Sequence, residues 1–181
     1  MIRTLRLFRP LGATALVALS VAGCSNAPKV PTCPSAAVLA PAASLTTFKA
    51  GKHDDPTGEL YTVGIVNVKT NCSLDVDNGT TDSTLALRFK AKRATSPDSA
   101  NYRVPYFVAV VLDGKVLAKR DIWASFGFTA GAATTTFDDE VGSTVINLEN
   151  GKKPYEYELV VGLQLTHDQL EYNKKMSRFA P

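Results

Sequence analysis

The sequence predicts a mostly β protein, an antiparallel β-sandwich of Ig-like or related type, closed by a short C-terminal helix. Three observations predict it. Several runs alternate apolar and polar residues at period two, as half-buried strands do. Asn78-Gly79, Asp113-Gly114 and Asn150-Gly151 each lie between strand-like runs and supply residues that tolerate the positive φ of tight hairpin turns. Thr166-His167-Asp168-Gln169 spells a helix capping box near the end of the chain. The tryptophan-between-cysteines spacing of true Ig domains is absent, so the class goes no finer.

The length of 181 residues suits one domain with a short appendage, and 45% hydrophobic content is enough for a packed core. The first 23 residues carry Arg3, Arg6 and Arg9 and no acid. Without those three, 20 Lys+Arg become 17, against 17 Asp+Glu, so the formal +3 belongs to that segment alone. This argues against a nucleic-acid binder, which needs fixed positive charge.

Met1 to Pro10 is basic, and Leu11 to Ala22 is an apolar run of 12 residues, short of the roughly 20 a spanning helix requires. A basic start, a short apolar stretch and small residues before a cut site make a secretory signal, placed at residues 1–23. Its last residues, Val21-Ala22-Gly23-Cys24, resemble the bacterial lipobox. The resemblance implies diacylglycerol on the Cys24 sulfur, cleavage before Cys24, and an N-acyl chain (palmitate, for example) on the new amino group. Each buried methylene contributes about 0.8 kcal/mol, so two or more chains anchor stably where one does not. Ser25 follows where the family's sorting rules read Asp as inner-membrane retention. It therefore implies the periplasmic face of the outer membrane. This covalent lipid is the only cofactor expected.

Residues 24–43 hold Pro28, Pro31, Pro34 and Pro41, with one Lys and no acid. They read as a Pro-rich tether, extended at about 3.1 Å per residue. The sandwich is expected over residues 44–181. Tyr61 to Val68 is a β-branched run. In the next strand Leu85, Leu87, Phe89 and Ala91 face one way and Arg88, Lys90 and Lys92 the other. The basic stripe reads as a solvated face paired across strands with Glu156 and Glu158, or as a contact for anionic headgroups or peptidoglycan. Thr144 to Leu148 is a shorter strand. Tyr155, Tyr157, Leu159, Val161, Leu163 and Leu165 line one face of the last strand, opposite Glu156, Glu158 and Gln164. The capping box opens a helix from about His167 to Met176, with acids early, lysines late and a thin apolar face of Leu170 and Met176.

The hairpin around Asp113-Gly114 is the clearest element. A two-residue loop pairs Leu112 with Lys115, Val110 with Leu117 and Val108 with Lys119. Phe107, Ala109, Val111, Val116, Ala118, Arg120, Ile122 and Ala124 then share the better core face. The opposite face still carries Tyr106, Val108, Val110, Leu112, Leu117 and Trp123. A solvated face should alternate to polar residues, so this one needs a cover. Either the helix or the Pro-rich arm lies on it, or Tyr106, Val108, Val110, Leu117 and Trp123 form an interaction patch with large aromatic anchors.

Tyr106-Phe-Val-Ala-Val, Val116-Leu-Ala-Lys and the stretch from Gln164 to Asn173 together resemble a group of uncharacterised alphaproteobacterial envelope lipoproteins. That resemblance implies the lipoprotein class and brings no catalytic residues. With Cys24 lipidated, Cys33 and Cys72 remain as an even pair in an oxidising compartment and are expected to form a disulfide, two free thiols being the alternative.

Other sites have weaker claims. His53-Asp54-Asp55 is a polar loop rather than a zinc site, which needs three or four converging ligands, and His167 is expected to be exposed. Asp75-Val-Asp77-Asn78-Gly79 misses the glycine and glutamate positions of an EF-hand, so it reads as a turn. Asp138-Asp139-Glu140 reads as a solvated loop, and no metal site is expected. No nucleophile elbow, Ser-x-x-Lys, His-Glu-x-x-His or phosphate loop occurs in the sequence. The expected function is thus non-catalytic: an envelope lipoprotein held to the membrane by its lipid, contacting another envelope protein or the cell wall. The alternatives are a small-ligand module using a cleft near Trp123, Phe126 and Phe128, or an enzyme of unrecognised type.

Overall fold

The structure, a computed structural model, describes residues 32–52 and 55–178. It contains strands β1 (Ser35–Val38), β2 (Ser44–Phe48), β3 (Glu59–Asp75), β4 (Thr80–Lys92), β5 (Ala100–Leu112), β6 (Lys115–Phe128), β7 (Thr134–Asn147) and β8 (Tyr157–Leu163), followed by helix α1 (His167–Lys175). Two four-stranded sheets form, in the orders β1-β8-β5-β6 and β2-β3-β4-β7. Every pairing is antiparallel except that of β1 with β8. The fold is a β-sandwich with one short C-terminal helix.

Period-two patterning builds the core. Leu85, Leu87, Phe89 and Ala91 of β4 point inward, against Tyr157, Leu159, Val161 and Leu163 of β8 in a single apolar cluster. Aromatic rings bridge the sheets: Phe126 stacks on Phe137 at 4.8 Å and meets Tyr61 edge-on at 5.4 Å. Tyr155 departs from the expected face. It lies in a 3-10 turn, Pro154–Glu156, before β8 begins, and is exposed.

The β5–β6 hairpin closes through Asp113 (φ 48°) and Gly114 (φ 75°), both in the left-handed region that a type I′ turn demands. Leu112 pairs with Lys115 as expected, and Val111 with Val116. Beyond them the register slips by one: Val110 faces Ala118 and Val108 faces Arg120, leaving Leu117 as the extra residue of a β-bulge. A one-residue slip exchanges the two faces of everything beyond it. Tyr106, Val108, Val110 and Leu112 belong to the core, beside Leu163, Val161, Leu159 and Tyr157 of β8, while the slip turns Trp123 outward and leaves Leu117 exposed. The expected grouping of all six on one face is corrected by this bulge.

The tether boundary also shifts. Residues 35–43 were expected outside the sandwich, yet Ser35–Val38 form β1 along β8, and Leu39 N–H donates to the Val161 carbonyl at 2.8 Å. The chain then turns through Ala40–Ala42 into β2 of the other sheet, with Ala42 and Ala43 buried. Alanine permits this close approach. Gly162 of β8 is equally necessary, because a Cβ there would meet the Phe107 ring at 2.7 Å and Ala42 Cβ at 2.9 Å. Pro34 and Pro41 bracket β1, at positions where a missing N–H breaks no ladder bond.

Helix α1 carries the expected capping box between Thr166 and Gln169. Its buried face is Tyr172 and Asn173, while Met176 is exposed. Asn173 Nδ2 donates to the Ser44 carbonyl (2.6 Å) and Gln169 Nε2 to that of Thr46 (3.1 Å). The helix thus covers the open edge of β2, where unpaired carbonyls would otherwise invite another strand.

Candidate functional site

Of the expected patch, Tyr106, Val108 and Val110 are interior, with Tyr106 fully buried. Only Leu117 and Trp123 are exposed, at 48% and 56%. Trp123 lies opposite Pro105 on the outer face of its sheet, with the Arg103 guanidinium 5.3 Å from its ring centre. Phe126 and Phe128 point into the core. Strand alternation therefore separates Trp123 from those two rings, and the cleft expected from the three does not form.

The surface that is open is the β5 part of the face expected to be core, with Val116; Ala124 of that expected face is buried, because the bulge turns its half of β6 inward. Phe107, Ala109 and Val111 of β5, Val116 of β6 and Val160 of β8 stand on the outside of the β1-β8-β5-β6 sheet, where Leu39, Leu165 and Leu170 extend them into an apolar groove of about 510 Å³. Phe107 lies across Gly162. Lys119 reaches over its ring, with Nζ 4.8 Å from the centre, and donates to Gln164 Oε1 at 2.7 Å. Val116 is the most open of these side chains, at 63%. Nothing in the sequence of β5 alone distinguishes this face from the core face; its register with β8, which sets Tyr106, Val108 and Val110 beside Leu163, Val161 and Leu159, and the bulge in β6 decide between them.

Inside the sandwich, the Tyr106 hydroxyl donates to Asp139 Oδ2 at 2.9 Å. Burial, then this hydrogen bond and the carboxylate charge, push the Tyr106 hydroxyl well above the usual phenol range. Asp138, Asp139 and Glu140 lie in β7 and not in a loop, so they alternate in direction and do not converge. Asp138 faces out and takes a bidentate hydrogen bond from Arg88, at 2.7 and 3.0 Å. That contact, followed by the charge attraction, holds the Asp138 carboxyl below the usual carboxylate range. The expected pairing of the basic stripe with Glu156 and Glu158 does not occur, since those residues belong to the other side of the sandwich.

Cys33 and Cys72 are joined by a disulfide, with Cα atoms 5.6 Å apart. Cys24, the signal, Ser25, His53 and Asp54 lie outside the described residues. Asp75 accepts from the Asn78 backbone and side chain, closing the turn into β4. His167 is exposed in the first turn of α1. Among the described residues no three His, Cys, Asp or Glu side chains group as metal ligands, and no helix is long and apolar enough to cross a membrane.

No protein-family model matches the chain, and no curated protein or solved structure does either. Function therefore rests on the residues themselves.

Proposed function

We propose that the protein is a non-catalytic envelope lipoprotein, anchored through acyl chains on Cys24 at the periplasmic face of the outer membrane, whose sandwich serves as a protein-interaction module. The observation that carries this reading is the partition of the three cysteines. Cys33 and Cys72 are bonded to each other at the N-terminal margin of the domain, which suits an exported protein. That leaves Cys24 of the Val-Ala-Gly-Cys box as the remaining thiol, at the position the lipobox reserves for lipid. Two or more acyl chains supply stable anchoring without a spanning helix.

The apolar face around Phe107, Val111 and Val116 supports the interaction role, because an antiparallel sheet facing water ordinarily turns polar residues outward. A second reading, capture of a small apolar ligand, draws on the same groove, whose volume of about 510 Å³ falls within the size of small-molecule sites.

The test is Cys24→Ser in the native host. The variant should lose the lipid mass from its N-terminal peptide and fail to mature. If the wild-type N-terminal peptide carries no acyl chains, the reading fails. A photo-crosslinker at Val116, compared with one at Lys69 on the other sheet, separates the two roles: a discrete protein adduct specific to Val116 supports the interaction module, and an adduct of small-molecule mass supports the ligand reading.

A further inference from the structure

The outer face of the second sheet holds a hollow of about 780 Å³ over β3 and β4, walled by Lys90, Lys92, Arg93 and Arg178. Glu59 is the one carboxylate among its lining residues. We infer that this hollow is a binding site for a phosphomonoester dianion.

Lys90 and Lys92 occupy alternate positions of β4, so both project from the same face, about 7 Å apart along the strand. Lys90 sits between Gly64 and Thr136, and Lys92 between Thr62 and Thr134. Neither has an acid beside it across the ladder, and neither forms an ion pair among the described residues. The next outward residue of the same strand, Arg88, is matched by Asp138. Positive charge is therefore neutralised at one end of this face and left open at the other.

The floor is shaped for an occupant. Gly64 lies mid-strand beside Lys90, where glycine weakens a strand and often marks close approach by a ligand. Internal packing does not require it, because a Cβ there would find only the Ala43 carbonyl, at an ordinary 3.7 Å. A side chain at position 64 would instead stand in the hollow.

The chemistry of the walls selects the ligand. A planar carboxylate is best matched by the fork of an arginine. Both arginines here are already engaged. Arg93 donates to the carbonyls of Ala132, Asp98 and Thr129 and lies over the Phe128 ring. Arg178 donates to Glu59, Thr46 and Thr62. The charge of Arg178 is matched by Glu59, so Arg93 contributes the fixed positive potential, while the two lysine ammoniums remain as donors. Two point charges on flexible stems suit a compact dianion with oxygens in several directions, which describes a phosphomonoester.

The phosphomonoester could be soluble or carried on a lipid, and one experiment distinguishes them. The full chain in non-ionic detergent is titrated with inorganic phosphate, and separately its micelles are doped with phosphatidic acid or, as control, phosphatidylcholine. Amide NMR shifts of Gly64, Lys90 and Lys92 are followed. Saturable shifts at these residues with phosphate assign a soluble ligand, and shifts with phosphatidic acid but not with phosphate assign a lipid-borne one. In either case Lys90→Gln with Lys92→Gln should weaken binding about tenfold or more. Gly64→Val, which fills the floor without removing charge, should also weaken it. The charge-matched pair Lys69→Gln with Lys115→Gln should not. The proposal is overturned if neither probe shifts these amides, or if the control pair weakens binding as much as the Lys90/Lys92 pair does.

Discussion

The Tyr106 hydroxyl, on a central strand of one sheet, donates across the sandwich to Asp139 on an edge strand of the other. The two ends of this bond are unequal, because Tyr106 is fully buried and Asp139 is only partly so. Removing the donor leaves a carboxylate that water can reach, and Tyr106→Phe should cost about 1 kcal/mol. Removing the acceptor strands a buried hydroxyl, and Asp139→Ala should cost more, about 1–3 kcal/mol. The double variant should be less unstable than the two losses added together. Urea unfolding of the four proteins checks the order.

The same bond has a consequence in alkali. The folded Tyr106 pKa lies above the ordinary tyrosine value of 10.0 that applies when the chain is unfolded. Its contribution to stability is therefore fully present below that value and is lost as pH rises beyond it, because the unfolded state gives up the proton first. Ultraviolet titration should show a tyrosine ionisation delayed until the protein unfolds, and this delayed component should be smaller by one tyrosine in Tyr106→Phe.

Trp123 is the sole tryptophan and stands on the outer face. Its fluorescence should be red-shifted and readily quenched by iodide in the folded protein. Trp123→Ala should cost no more than about 1 kcal/mol, the scale of its contact with Arg103. A blue-shifted, shielded emission would contradict the bulge at Leu117.

The disulfide closes a separation of 39 residues, and its loss should cost about 3–4 kcal/mol by the chain-entropy argument. Cys72→Ser and chemical reduction should lower the urea midpoint of the wild type to a similar level. Reduction should have no further effect on the variant.

Arg88 holds the Asp138 carboxyl below its usual range. A depressed carboxyl contributes stability above its unfolded pKa and loses it as pH falls through the folded value. Both side chains are exposed, so the effect on stability is small, and the carboxyl shift itself is the measurable quantity. Arg88→Gln should return the Asp138 titration, followed by NMR, to the ordinary carboxylate range.

Local structure was legible in the chain before any fold was known. Alternation along β4 and β8, the Asp113-Gly114 turn and the Thr166–Gln169 cap each arise from residues close together in the chain, and their physics does not depend on the rest of the molecule. The sequence also supplied the Cys33 and Cys72 pair, because three cysteines with one expected to carry lipid leave few alternatives. Tertiary structure decided which faces meet. Both faces of β5 are apolar, so alternation could not say whether Tyr106 or Phe107 looks inward. Pairing with β8 settled it, setting Tyr106, Val108 and Val110 beside Leu163, Val161 and Leu159, and the extra residue Leu117 brought β6 into line by sliding Val110 from Leu117 to Ala118. Likewise, the alanines and prolines of residues 35–43 carry no strand pattern of their own. They became part of the sandwich because β8 offered a free edge and Ala42 and Gly162 are small enough to let Phe107 pack between them. The vacancy beside Lys90 has the same origin: Gly64 and Thr136 lie 26 and 46 residues away in the chain, and only the ladder makes them its neighbours.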